Sequence, residues 1–274
     1  MARRLFCEIS PLTYRLSVEK NIIQRRLRDI ARRCRFAAER SSEPLGVKIY
    51  SHSSLIRRRL GDVDMRLQEN KAVNLSIAAP KVDGILIRPG ETFSFWHLVG
   101  RDSKRKGYLE GLTIANGKVS SGTGGGMCQF TNLIHWMVLH SELTVTERHH
   151  HDQFDLFPDF GRKVPFGTGT SIMYNYLDYR VRNDTDRTYQ ILVRCDGEYL
   201  IGELLSDKPQ EYKYHCTVKD QRFVREKDGN VYRCGYVVRR TIDRTTGNDV
   251  HEEIISTNHA RVMYDTSELD ITEP

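Results

Sequence analysis

The stretch that decides the fold reads Gly122-Thr123-Gly124-Gly125-Gly126-Met127-Cys128-Gln129. Consecutive glycines allow backbone conformations that a Cβ disfavours, and they let another chain approach closely. Directly after them, Phe130, Leu133, Ile134, Met137 and Val138 recur at helical spacing. That spacing predicts a buried helix with Cys128 in its first turn. A helix start offers unpaired N–H groups and partial positive charge. A thiol there is expected to ionise more readily than an ordinary one, of pKa about 8.5. The same N–H groups can receive an oxyanion. Cys128 is therefore the candidate nucleophile, with Gly124, Gly125 and Gly126 as candidate oxyanion or substrate contacts. The same residues also fit a plain tight turn or an anion cradle, with Cys128 as an inert small hydrophobe.

A cysteine nucleophile needs a base. Leu143 to Thr146 reads as a strand, and Glu147-Arg148-His149-His150-His151-Asp152 follows it. If the strand continues, His149 and His151 share one face and His150 takes the other. His151, with His149 second, is then the expected proton acceptor for Cys128. Cys128, His149, His151 and Asp152 also have the residue types of a zinc site, but not a recurrent ligand spacing. No metal and no cofactor is expected. His135 and His140 are five residues apart on the helix and read as structural.

GGGMCQ at 124–129, followed by ERHHH at 147–151 and preceded by PGETFSFWHLVG at 89–100, resembles the VanW family, named for a vancomycin-resistance accessory protein. The likeness also takes in LQENKAVNL at 67–75, DLFPD at 155–159, PFGTG at 165–169 and YNYLDYR at 174–180, and so covers most of residues 5–205. Multi-domain members of that family are cell-wall L,D-transpeptidases that use the cysteine of the glycine motif. The resemblance implies Cys-dependent acyl transfer on peptidoglycan stem peptides or their precursors. A second reading is a non-catalytic accessory protein that binds a cell-wall precursor or lipid-linked intermediate. Asp178 matches a position where the family carries Asp, and is the candidate that orients the histidine; a partnership with Arg148 or Arg180 is the alternative. Gln129 and Arg148 complete the candidate substrate contacts.

Composition sets the remaining bounds. The chain has 274 residues, 39% hydrophobic and 28% charged, with a formal charge of +6, which favours anionic partners. Six cysteines without CxxC spacing suggest a reducing compartment. No apolar run is long enough to span a bilayer or serve as an export signal, so a cytoplasmic, membrane-peripheral location is expected. Residues 17–40 read as a basic amphipathic helix, with Ile23, Leu27, Ile30, Cys34 and Ala38 on one face. It either packs on the main domain or docks on anionic lipid. No nucleic acid is expected as a partner, since no aromatic interleaving accompanies the arginines.

The fold class expected is α+β: a central antiparallel sheet packed on the helix that starts at the Cys loop, after a helical N-terminal segment and before a C-terminal β-meander. The segments are 1–80 (basic, helical), 81–205 (the core with the Cys/His site), 206–266 (the β region) and 267–274 (a frayed tail). Within them, 50–59 reads as a loop or short helix. Asn116-Gly117 reads as a hairpin turn, and 174–182 as a strand. Arg162 and Lys163, in a loop, can meet a substrate carboxylate.

Overall fold

The computed structural model describes residues 5–59, 63–115, 118–150, 153–159, 161, 163–174 and 176–273. Helix α1 (Pro11–Ala31) starts where Ser10 accepts a hydrogen bond from the Thr13 N–H and Pro11 takes the first helical position. It begins and ends earlier than the 17–40 expected, because Arg33 adopts a positive φ of 52° and the chain beyond it is extended. Its apolar stripe also faces the other way. Val18, Ile22, Arg25 and Asp29 turn towards the body, while Ile23, Leu27 and Ile30 lie exposed.

The polar stretch expected as a loop instead forms strand β1 (Val47–Leu55). Asp64 caps α2 (Met65–Ala78), whose buried face carries Gln68, Lys71, Asn74, Leu75 and Ala78. Short strands β2 (Ile85–Ile87) and β3 (Thr92–Ser94) follow, and Ser94 caps α3 (Phe95–Val99). β4 (Glu110–Ala115) and β5 (Lys118–Thr123) pair as the hairpin expected, although its Asn116-Gly117 turn lies outside the described residues. The hairpin delivers the chain into the glycine turn and α4 (Met127–Val138). β6 (Thr144–Glu147), β7 (Phe154–Asp155) and β8 (Arg180–Arg182) come next. Among the described residues of the strand expected at 174–182, Arg180–Arg182 form a strand and Leu177 makes an isolated bridge to Met173. β9 (Tyr189–Cys195), β10 (Tyr199–Ser206), β11 (Tyr212–Arg225), β12 (Val231–Asp243), β13 (Asp249–Val262) and β14 (Ile271–Thr272) complete the chain.

The architecture is α+β, as expected. An antiparallel sheet in the order β1-β10-β9-β2 packs on α4, and Gly202 of β10 leaves room for Leu133 and Met137. β1 belongs there because its backbone pairs with β10 from Val47↔Ser206 to Leu55↔Tyr199. Pairing of that length overrides weak local strand propensity. β1 and α2 come from the first eighty residues, yet Ile56, Leu75 and Ala78 share one core with Phe93, Phe130, Ile134 and Tyr189. A second sheet, β3-β8-β6, flanks α4. The C-terminal sheet runs β14-β11-β12-β13-β7, with register shifts in the β11–β12 and β12–β13 pairings.

A buried charge cluster joins α1 to this frame. Asp178 is fully buried, and its carboxylate accepts from Ser94 Oγ at 2.5 Å, Trp96 N–H at 3.0 Å, Tyr179 N–H at 2.9 Å and Arg180 Nε at 2.9 Å. Arg180 donates in turn to both oxygens of Asp29 on α1, at 2.6 and 2.8 Å. Burial opposes the Arg180 charge, but its hydrogen bonds to Asp29 and Asp178 hold the guanidinium more firmly protonated than usual. Arg25 of α1 pairs with Glu147. Removing one partner of such a cluster leaves a buried charge uncompensated. Asp178→Ala is therefore expected to cost about 3–5 kcal/mol of stability, read as a lower denaturation midpoint. An unchanged midpoint would show that α1 is held by other contacts.

Candidate functional site

Cys128 lies in the first turn of α4, as the spacing predicted, after Gly126 at φ 106°. No side chain caps this helix, so its leading N–H groups keep their anion-binding character. The glycine run is not an open cradle, however. A Cβ on Gly124 would overlap the Asp102 carboxylate, one on Gly125 the Gly111 backbone, and one on Gly126 the Lys71 side chain. The chain that lies close against the glycines is the protein's own. Asn74 reinforces the turn, donating to Gly125 O at 2.9 Å and Leu109 O at 3.0 Å and accepting from Leu109 N–H at 2.8 Å.

The thiol also departs from the expectation. Burial pushes the Cys128 pKa up, and the N–H groups of Ile172 and of Cys128 itself offset only part of that rise. Desolvation of the anion outweighs the helix dipole here. Cys128 is therefore a protonated thiol at neutral pH.

The histidines fan apart. β6 shifts register between Val145 and Glu147 and ends there, before the histidine run. His149 turns to Glu147, with its Nε2 2.9 Å from Oε1. Glu147 is the buried anion that also pairs with Arg25 and accepts the Asp178 N–H at 2.8 Å. Burial opposes its charge, yet Arg25, the Asp178 N–H and His149 together hold its carboxyl below the usual range. Glu147, not Asp178, is thus the acid beside His149; every contact of the Asp178 carboxylate belongs to the charge cluster. His151, Asp152 and Arg162 lie outside the described residues.

His150 takes the opposite side. Its ring lies against Gly169, where an added Cβ would stand 3.0 Å from Nε2 and 3.9 Å from Asn132 Oδ1. Asn132 is one turn beyond Cys128 on the same helix face and accepts from Thr170 N–H at 2.6 Å and Thr170 Oγ1 at 2.8 Å. The same Thr170 hydroxyl lies 3.5 Å from Cys128 O. The Gly169–Thr170 segment therefore lies between the His150 ring and the Cys128–Asn132 turn of α4. The pairing of Asn132 with Thr170 left no trace in the sequence, because it joins segments 38 residues apart.

The other candidates hold the scaffold. Gln129 donates to Ser54 Oγ at 2.9 Å and Leu55 O at 2.8 Å, pinning α4 to β1. Arg148, its pKa lowered by burial, donates to Gly169 O at 3.1 Å and to Gly167 O, which fastens the loop beneath His150. His135 and His140 sit buried and neutral, bonded to Tyr179 and to the Trp136 carbonyl. Among the described residues no three His, Cys, Asp or Glu side chains gather as a metal site. A cavity of about 450 Å³ between β1 and the outer face of α2, lined by Arg57, Asn70, Val73 and Cys195, does not touch Cys128.

Two ionisable groups against the glycines were not singled out from the sequence. Asp102 has its pKa raised to about 6 by burial. Lys71 is 6% exposed and has no hydrogen bond or ion pair among the described residues. Burial first, then Arg58 and Arg57, lower its pKa to about 7.

This geometry defines a class: an α+β protein whose cysteine opens a helix on a glycine turn welded to its own hairpin. A family model described as VanW like protein matches residues 70–205. Vancomycin B-type resistance protein VanW of Enterococcus faecalis is 41% identical over 211 residues, covering 77% of this chain and 76% of that protein. Uncharacterized protein YoaR of Bacillus subtilis is 28% identical over 138 residues, covering 50% of this chain and 44% of that protein. No solved structure matches. The chain belongs to the VanW family.

Two outcomes test the welded turn. Gly125→Ala forces a Cβ into the Gly111 backbone, and neither side can yield as a flexible side chain would. It is expected to cost about 2–3 kcal/mol, measured by chemical denaturation. Lys71 gives a pH signature. Between about 7 and 10.5 the unfolded chain holds a proton that the folded one has lost, so stability rises with pH across that window. Subtracting the curve of Lys71→Met should isolate a rise of a few kcal/mol, on the order of the linkage value; parallel curves would show that Lys71 is not desolvated.

Proposed function

We propose that this chain is a cysteine-dependent acyl transferase of the L,D-transpeptidase type, acting on the peptide of peptidoglycan or its precursors. The observation that carries the reading is Cys128 in the first turn of an uncapped helix, with the Gly169–Thr170 segment laid between that helix and the His150 ring. Because the thiol is protonated at rest, the base must act during attack. His150 takes the Sγ proton as sulfur bonds to the amide carbonyl carbon, and the N–H groups of Cys128 and Ile172 receive the charge on oxygen. The C–N bond then breaks, and the imidazolium returns its proton to the leaving amine. A second amine or water attacks the thioester, passes a proton to His150 and frees the Cys128 thiol. General-base help of this kind is worth about 10²–10⁴-fold.

A binding role without chemistry is the second reading. It is favoured by the raised thiol pKa and by the glycine turn being filled from within. The E. faecalis relative is named for vancomycin resistance, and either reading places this chain in the handling of cell-wall peptides, the material on which glycopeptide resistance acts.

Intact mass after incubation with tetrapeptide muropeptides separates the two. A mass gain equal to the acyl portion is expected for the wild type, faster at alkaline pH, and absent in Cys128→Ala with its fold intact by circular dichroism. His150→Gln should slow the adduct by about 10²-fold or more, whereas His149→Gln should not. Acyl transfer that persists in Cys128→Ala refutes the enzyme reading. Saturable muropeptide binding with no adduct at any pH establishes the binding one.

A further inference from the structure

The outer face of α1 is left uncovered by the described residues. At 3.6 residues per turn, Leu12, Leu16, Ile23, Leu27 and Ile30 fall within an arc of about 60°. All are exposed, from 53% for Leu16 to 73% for Ile30. Leu5, Phe6 and Ile9, also exposed, extend the apolar surface ahead of the helix. Patches of this kind on a folded surface mark an interaction site.

Charge selects the partner. The acidic residues of α1 are spent on the body: Glu19 pairs with Arg101 at 2.6 Å and Asp29 with Arg180 at 2.6 Å. Arg25 pairs inward with Glu147. Arg15, Lys20, Arg26 and Arg28 of the helix, with Arg32 and Arg33 just beyond it, are exposed and form no ion pair among the described residues. Arg15 and Arg26 border one edge of the stripe, and Lys20 borders the other. A second copy of the chain laid on this face would bring these cations together. An anionic bilayer offers apolar depth for the stripe and negative headgroups for its borders.

We infer that α1 is an interfacial membrane helix, lying with Leu12, Leu16, Ile23, Leu27 and Ile30 in the headgroup boundary of an anionic leaflet. The body stays in water on the side of Arg25 and Asp29. That inner face is bonded to Glu147 and Arg180, so the docked helix and the strand that leads into the histidine run share one rigid frame. This inference stands apart from the chemistry at Cys128.

Co-sedimentation with vesicles tests it. The full chain should partition onto phosphatidylcholine vesicles containing about one-third phosphatidylglycerol at least about tenfold more than onto pure phosphatidylcholine, and less as salt rises. Leu16→Gln/Ile23→Gln/Leu27→Gln should reduce that binding about tenfold or more with an unchanged thermal midpoint, since all three side chains are exposed. Lys20→Gln/Arg26→Gln/Arg32→Gln should remove the preference for anionic vesicles. Equal partitioning of wild type and apolar variant would overturn the inference. So would a wild-type dimer in sedimentation equilibrium that becomes monomeric in the apolar variant, which would assign the stripe to a second copy.

Discussion

The structure depends on one buried carboxylate. Asp178 gathers donors from the start of α3, from the neighbouring Tyr179 N–H and from Arg180, and Arg180 reaches α1 through Asp29. Beside it, Glu147 binds Arg25 from the same helix face and His149 from the following residues. Burying such charges is costly, and only complete hydrogen bonding with opposite charge makes it tolerable. The positions of α1, the β3-β8-β6 sheet and the start of the histidine run are thereby mutually dependent.

The cysteine site rests on that frame from two sides. On one, the α2 face of Lys71 and Asn74 closes on the glycine turn. On the other, Arg148 ties down the loop that carries Gly169 and Thr170 against α4. The result differs from an activated thiolate in open solvent. Burial keeps the sulfur protonated at rest. For the acyl transfer proposed above, stabilisation aimed at a developing charge counts for more than stabilisation of a resting thiolate.

Local chemistry made much of this legible in advance. The helix after the glycines follows from the period of Phe130, Leu133, Ile134 and Met137, and the hairpin before it from Asn116-Gly117. The paired strands of the β region follow from turns such as Asp228-Gly229-Asn230. What stayed hidden depends on tertiary partners. β1 is polar and becomes a strand only because β10 accepts it. The apolar stripe of α1 looked like a packing face, but ion pairs, not hydrophobic burial, decide which side of that helix meets the body. Asp178 carried the right residue type for a triad, but nothing local reveals that four donors already surround it. His149 offered itself as a second base, but nothing local reveals that Glu147 holds its ring.

Gly111 and Gly125 touch backbone to backbone, with a Cβ on Gly111 placed 2.7 Å from the Gly125 carbonyl oxygen. No side chain stands between them to be exchanged, so this joint has no adjustable part. Variation beside the cysteine must then arise on the facing segment, around His150, Gly169 and Thr170, where side chains make the contacts.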